Sequence, residues 1–186
     1  MQHAPVLALL RAHASRTLDA HEAAMVADTI RFVEEHEDCL LRSCAPGHLT
    51  GSAWIVDATR TRTLLTHHRK LNKWLQLGGH ADGEADMRGV ALREAREESG
   101  LTRLRAVSDQ IFDVDRHVIP ARGSEPEHFH YDLRFMIEAD PAEPLAISDE
   151  SHDLAWVDVA QVTALNPEES MARMVRKTQV GTNKPR

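Results

Sequence analysis

The sequence predicts an α/β sandwich built on a mixed sheet, with a helical extension at its N-terminus. Three observations predict it. Strand-like runs flank one central helical stretch, residues 84–99, on both sides. The opening residues, 3 to 42, carry apolar positions at helical spacing. The regular strand–helix alternation that builds an all-parallel sheet is missing.

The elements follow in order. In residues 3–42, Leu18, Ala23, Met25, Val26, Ile30, Phe32 and Val33 recur with polar residues between them, which predicts helix. Pro46-Gly47 breaks the chain. Residues 50–58 read as a buried strand and residues 62–68 as its hairpin partner. Trp74 to Leu77 is a short extended run, and Gly78-Gly79 is expected to end it in a tight turn. The helix over 84–99 has Gly100 as its C-terminal stop. Strands are expected at 103–108, 110–119 and 129–139, with a Gly-, Ser- and Pro-bearing loop at 121–127. Residues 140–152 read as an acidic loop, Trp156-Val157 as a short strand, and 158–165 and 167–177 as the last helices. The boundaries expected are an extension over 1–45 and a main domain over 46–180. The apolar stripe of the extension suits either its own domain or a second copy in a homodimer.

Composition narrows the function. The chain has 186 residues, 42% of them hydrophobic, and a formal net charge of −7. That charge argues against a nucleic-acid polymer as partner, because polymer binding needs a basic surface to displace counterions. A small anionic ligand is compatible with it, since a bound metal reverses the local sign. No apolar run approaches the about 18 residues that span a bilayer, so no membrane partner is expected. Two cysteines, Cys39 and Cys44, match no metal or redox spacing, and the expected compartment is the reducing cytoplasm.

The chemistry concentrates between Gly78 and Leu101. On a helix turning by about 100° per residue, Glu97 lies about 60° to one side of Glu94 and Glu98 about 40° to the other. Leu92 and Ala95 fall away from the acids, so they can face a sheet while the acids face outward. Crowding like charges on one turn costs a few tenths of a kcal/mol. A hard divalent cation, which prefers oxygen ligands, would offset that cost. Taken alone, the triad is better explained by a solvated helix; the conjunction of a glycine turn, a fixed gap, Arg-Glu and Glu-Glu-x-Gly-Leu is what points to a metal.

Together these residues resemble the Nudix box, G-x5-E-x7-R-E-U-x-E-E-x-G-U with U aliphatic. The match runs from Gly79 through Arg93, Glu94, Ala95, Glu97 and Glu98 to Gly100 and Leu101. The first glutamate of the pattern falls on Ala85, between Glu84 and Asp86. The order of strands is similar to the Nudix fold, an α/β/α sandwich with the box as loop–helix–loop.

The resemblance implies hydrolysis of the diphosphate linkage in a nucleoside diphosphate joined to another moiety, with Mg²⁺ or Mn²⁺ as cofactor. It implies Glu94, Glu97, Glu98 and the backbone of Gly79 as metal ligands, with Arg93 orienting Glu97. The general base is not placed by the resemblance, and Glu150, within Ser148 to His152, is the preferred candidate. Candidates to meet a small nucleotide-like substrate are Arg69, Lys73 and His80 around the glycines, and His128, His130 and Asp132. The last three alternate and so share one strand face. A basic loop and an ordinary polar strand face are the competing readings.

The substrate is not legible. The position at which ADP-ribose enzymes of the family carry a proline falls on Arg116, and the only tyrosine, Tyr131, lies beyond the place used by dinucleoside polyphosphate enzymes. Leu64-Leu65-Thr66 lacks the arginine pattern that completes a coenzyme A marker. Two other readings are a binding or regulatory module on the same fold with weak catalysis, which Ala85 favours, and an isoprenoid diphosphate isomerase, which the early position of both cysteines disfavours.

Overall fold

The structure, a computed structural model, describes residues 2–16, 18–123, 125–149 and 151–182. The chain divides into two compact units, one of residues 1–52, 79–91 and 108–135 and the other of 53–78, 92–107 and 136–186.

The first unit opens with α1 (Ala4–Ala14) and α2 (Ala20–Glu35), so the expected helical segment contains two helices. Pro5 suits the first turn of α1, where no amide partner is lost. Asp19 caps α2 by accepting the Glu22 amide at 2.8 Å. The buried face of α2, with Val26, Phe32 and Val33, lies on β6 (Asp113–Ile119) and β7 (His128–Glu138). There Phe32 stacks on Tyr131 at 4.0 Å between ring centroids, and Arg116 pairs with Asp28 at 3.0 Å. Arg16 donates to the Ile111 carbonyl at 2.9 Å. The apolar stripe of the extension is therefore covered by its own unit.

Strands β6 and β7 pair antiparallel, with His117 opposite His130, Asp115 opposite Asp132 and Asp113 opposite Arg134. Strand β1 (Gly47–Val56) is buried along its whole length, as expected of a strand covered on both faces. Its start meets β7 through the Phe129 amide, which donates to the Pro46 carbonyl at 3.1 Å. Further on, Thr50 and Ser52 donate to Asp132 at 3.0 and 2.6 Å, so β1 and β7 advance in the same direction and the sheet is mixed.

The sequence expectation fails at the glycines. Gly78 and Gly79 lie inside β4 (Leu77–His80), which pairs with β1. The tight turn comes later, at Asp82 and Gly83, whose φ values are 49° and 89°. Pairing overrides the weak strand propensity of glycine: the Ala81 amide reaches the Leu49 carbonyl at 3.2 Å, extending the paired run beyond the glycines. Arg42 then clamps Asp82 with two bonds of 2.7 Å.

In the second unit the strand path runs β3 (Lys73–Leu75), β2 (Arg62–His68), the end of β1, the end of β7, and β5 (Arg105–Ala106). Strand β8 (Ser151–Asp158) lies antiparallel along β2. It starts earlier than the expected Trp156-Val157 because Thr66 and Ser151 share a buried hydroxyl contact of 2.6 Å. A 3-10 turn and α4 (Val162–Leu165) lead to α5 (Glu169–Thr182). Helix α5 buries Met171, Met174, Val175 and Thr178, and Trp54 donates its indole N–H to the Thr178 hydroxyl at 2.9 Å. Cys39 and Cys44, both buried and free, follow α2. No helix among the described residues is long and apolar enough to cross a membrane.

Candidate active site

Helix α3 (Met87–Ser99) carries the acidic turn. It starts three residues later than the sequence suggests because Asp86 acts as its cap. The Asp86 carboxylate accepts the Gly89 amide at 3.1 Å, and its carbonyl accepts the Val90 amide. Ala95 is buried as expected, together with Met87, Val90 and Ala91, whereas Leu92 is only half-buried. Gly100 ends the helix with φ at 73°, a conformation that costs glycine nothing.

The three glutamates differ in environment. Glu97 is exposed, with 61% of its side chain accessible, and Glu94 is largely covered at 15%. Glu98 is buried, which corrects the expectation that all three acids face outward. Its Oε1 accepts the Gly78 amide at 3.1 Å, so a strand amide meets the carboxylate's hydrogen-bonding demand. This is what the glycine pair does here: one glycine supplies an amide where no side chain obstructs it.

Arg93 pairs with Glu97 as expected, and with Glu94 as well. Its Nη1 bonds Glu94 Oε1 at 2.6 Å and lies 3.6 Å from Glu97 Oε2. The guanidinium therefore holds the adjacent acid more tightly than the one a turn away. Ala85 is half-buried, with Glu84 Oε1 accepting the Asp86 amide at 3.1 Å.

Among the substrate candidates, Arg69 is exposed and donates to the Ser151 carbonyl at 3.1 Å. The Lys73 ammonium pairs with Glu168. Glu150 lies outside the described residues.

His80, His128 and His130 come together in the first unit with two histidines that sequence reasoning did not single out, His48 and His117. His48 has ring centroids 4.8, 5.0 and 4.7 Å from those of His80, His128 and His130, and His117 lies 5.5 Å from His130. Burial first, then neighbouring positive or protonatable groups, pushes His48 and His80 down to about 4 and His130 to about 2. All three are neutral at pH 7. Nothing in the sequence could have picked out His48, because strand pairing alone brings it to His80 and His128.

Asp132 shares the face of His130 but is taken up elsewhere. It accepts from Thr50 and Ser52 on one oxygen and from Arg134 Nε, at 2.8 Å, on the other. Arg134 also reaches Asp113 at 3.2 Å and Asp115 at 3.5 Å. Burial alone would lower the Arg134 pKa, but the three carboxylates outweigh it and raise the pKa. Most of this face is thus buried, with imidazoles at one end, of which His130 is partly exposed, and an ion network at the other.

A family model, NUDIX domain, matches residues 48–178. Solved structures with the same fold include a C. elegans Ap4A hydrolase binary complex, at a TM-score of 0.58 and 17% identity, covering 72% of this chain and 96% of that one. The M. smegmatis Nudix hydrolase RenU matches at 0.55 and 19% identity, covering 75% and 88%. The E. coli dihydroneopterin triphosphate pyrophosphohydrolase matches at 0.54 and 17%, covering 73% and 96%. No curated protein matches the chain.

Proposed function

Since this chain belongs to the Nudix family, we propose that it is a Mg²⁺- or Mn²⁺-dependent hydrolase of the diphosphate linkage in a nucleoside diphosphate joined to another moiety. The observation that carries the reading is the placement of Glu94, Glu97 and Glu98 on one turn of α3, each in a different environment.

The donor set fits a hard divalent ion. It offers carboxylate oxygens and no sulfur or nitrogen, the ligand type that such an ion prefers. Glu94, Glu97 and Glu98 would hold the ion, with the backbone of Gly79 as a further ligand. A bound ion supplies charge neutralisation at the phosphates and a lowered pKa for the attacking water.

The chain's own groups do the rest. Arg93 fixes the Glu94 carboxylate through its 2.6 Å bond, and the Gly78 amide fixes Glu98. Phosphoryl chemistry depends mainly on such positioning. Glu97, the accessible member, can take a proton from water, and Glu150 is the candidate general base. Arg69, Lys73 and His80 are candidates to meet the substrate, as are His128, His130 and Asp132, although Lys73 and Asp132 already serve internal partners. The hydrolase domain is assigned to 46–180 and the extension to 1–45, with support from the family match starting at residue 48.

The test is a phosphate-release screen over nucleotide sugars, dinucleotides and nucleoside triphosphates with Mg²⁺ and with Mn²⁺. Turnover is expected only with metal. Glu97→Gln and Glu98→Gln should each lose at least about a hundred-fold, the scale of removing a group that handles the proton or the charge. Unchanged turnover in both variants would remove the proposal. Ala85 favours one second reading, a nucleotide-binding module with weak catalysis. Calorimetric binding of a nucleotide without metal-stimulated turnover would select it.

A further inference from the structure

We propose that His48, His128 and His130 form a binding site for one transition-metal ion of the zinc class, separate in its ligand chemistry from the carboxylate turn.

The ligand atoms of these three side chains all lie within 4.8 Å of one another. Tetrahedral Zn²⁺ with Zn–N bonds of about 2.0–2.1 Å needs nitrogens about 3.3–3.4 Å apart, a change that ring rotation can supply. The cluster is also short of partners in the way a metal site is. Both ring nitrogens of His48, only 2% exposed, have no hydrogen-bond partner, and neither has Nε2 of buried His128. Buried polar atoms are rarely left this way unless water or an ion completes them.

The tautomer of His128 is set for ligation. Its Nδ1 lies 2.9 Å from the Pro126 carbonyl, which can only accept, so Nδ1 carries the proton and Nε2 presents a lone pair inward. A ligating imidazole held from behind by a carbonyl is the usual supporting arrangement in such sites.

The sheet explains why the three meet. His48 stands on β1, and His128 and His130 are successive same-face residues of β7. His80 of β4 adjoins the cluster, with its ring 4.8 Å from His48 and 5.0 Å from His130. Three imidazole nitrogens select a borderline ion such as Zn²⁺ over Mg²⁺, which prefers oxygen. His130 is partly exposed, which gives an ion a way in and leaves a fourth position for water or a ligand oxygen. A second grouping, His36, Asp38 and Cys44, is a weaker candidate, because burial holds the Cys44 thiol protonated, with its pKa raised to about 12.

The experiment uses the full chain, stripped with a chelator and titrated with Zn²⁺ by calorimetry in excess Mg²⁺. One ion per chain should bind, and Co²⁺ in its place should give the strong visible bands of a tetrahedral nitrogen-ligated ion. His48→Gln and His130→Gln should each weaken binding by at least about a hundred-fold, since even supporting residues behind a ligand are worth about ten- to a hundred-fold. Zn²⁺ should raise the Tm of the wild-type chain and leave that of His48→Gln unchanged. Should His48→Gln fail to fold, the more exposed His130→Gln carries the readout. Glu97→Gln should retain binding. The proposal is overturned by absence of stoichiometric uptake, by binding that survives both histidine substitutions, or by loss of binding in Glu97→Gln. The hydrolase reading stands or falls separately, on turnover.

Discussion

Arg134 is buried and faces three carboxylates, those of Asp113, Asp115 and Asp132. Removing one partner from such a network leaves buried charge without compensation. Arg134→Ala should therefore cost about 3–5 kcal/mol in a urea unfolding experiment. A loss under about 1 kcal/mol would mean that water reaches these acids. Sequence reasoning found part of this face. The alternation of His128, His130 and Asp132 was visible, yet whether it met solvent or core depended on β1 and β6, which lie far away in the chain. The same distance hid His48. By contrast, the glutamates of α3 were legible as a set because they sit on one turn. Their unequal burial was not, since the amide that covers Glu98 comes from Gly78.

The end of α3 shows what positions that turn. The Gly100 amide closes on the Arg96 carbonyl at 2.8 Å, and the Ala146 amide bonds the Ser99 carbonyl at 2.7 Å. A Cβ on Gly100 would lie 2.7 Å from the Ala146 Cβ, on a backbone whose φ already excludes most side chains. Gly100→Ala should thus destabilise by about 1–3 kcal/mol, read by thermal unfolding, and should lower turnover through Glu97 and Glu98. Glu143 anchors the same loop. It accepts the Thr102 hydroxyl at 2.5 Å and amide at 2.7 Å, and these bonds lower its pKa from 4.5 to about 2. A depressed carboxylate stabilises the fold above its unfolded value and loses that contribution as pH falls. The Tm advantage of wild type over Glu143→Gln should accordingly be full above about pH 4.5 and shrink towards about pH 2. A gap that stays constant over that window would place the anchor elsewhere. Among the elements, β2 and the Gly100 stop were legible because local patterning decides them. The Gly78-Gly79 turn was misread because glycine reports permissiveness, and strand pairing decided its use.

At the level of the molecule, α1 and α2 are integral to the unit that contains β6 and β7. Phe32 against Tyr131, Asp28 against Arg116 and Arg16 against Ile111 tie them down. Deleting residues 1–42 would uncover Tyr131 and leave Arg116 without its carboxylate partner on α2. The truncated chain should show a markedly lower Tm and stronger binding of a hydrophobic dye. A truncated chain as stable as the whole would show that the helices only rest on the surface. The fold class and the helical extension were readable from periodicity, because helices and buried strands impose different spacings. Where the extension docks was not, since its stripe would suit a second copy as well. The two thiols beyond α2 have a practical corollary. Burial first, with Asp38 adding to it, pushes Cys39 up to about 11 and Cys44 to about 12, so almost no thiolate exists at neutral pH. Alkylating reagents should pass the folded chain by, and a single cysteine placed on its surface could carry a fluorophore without first removing the native pair.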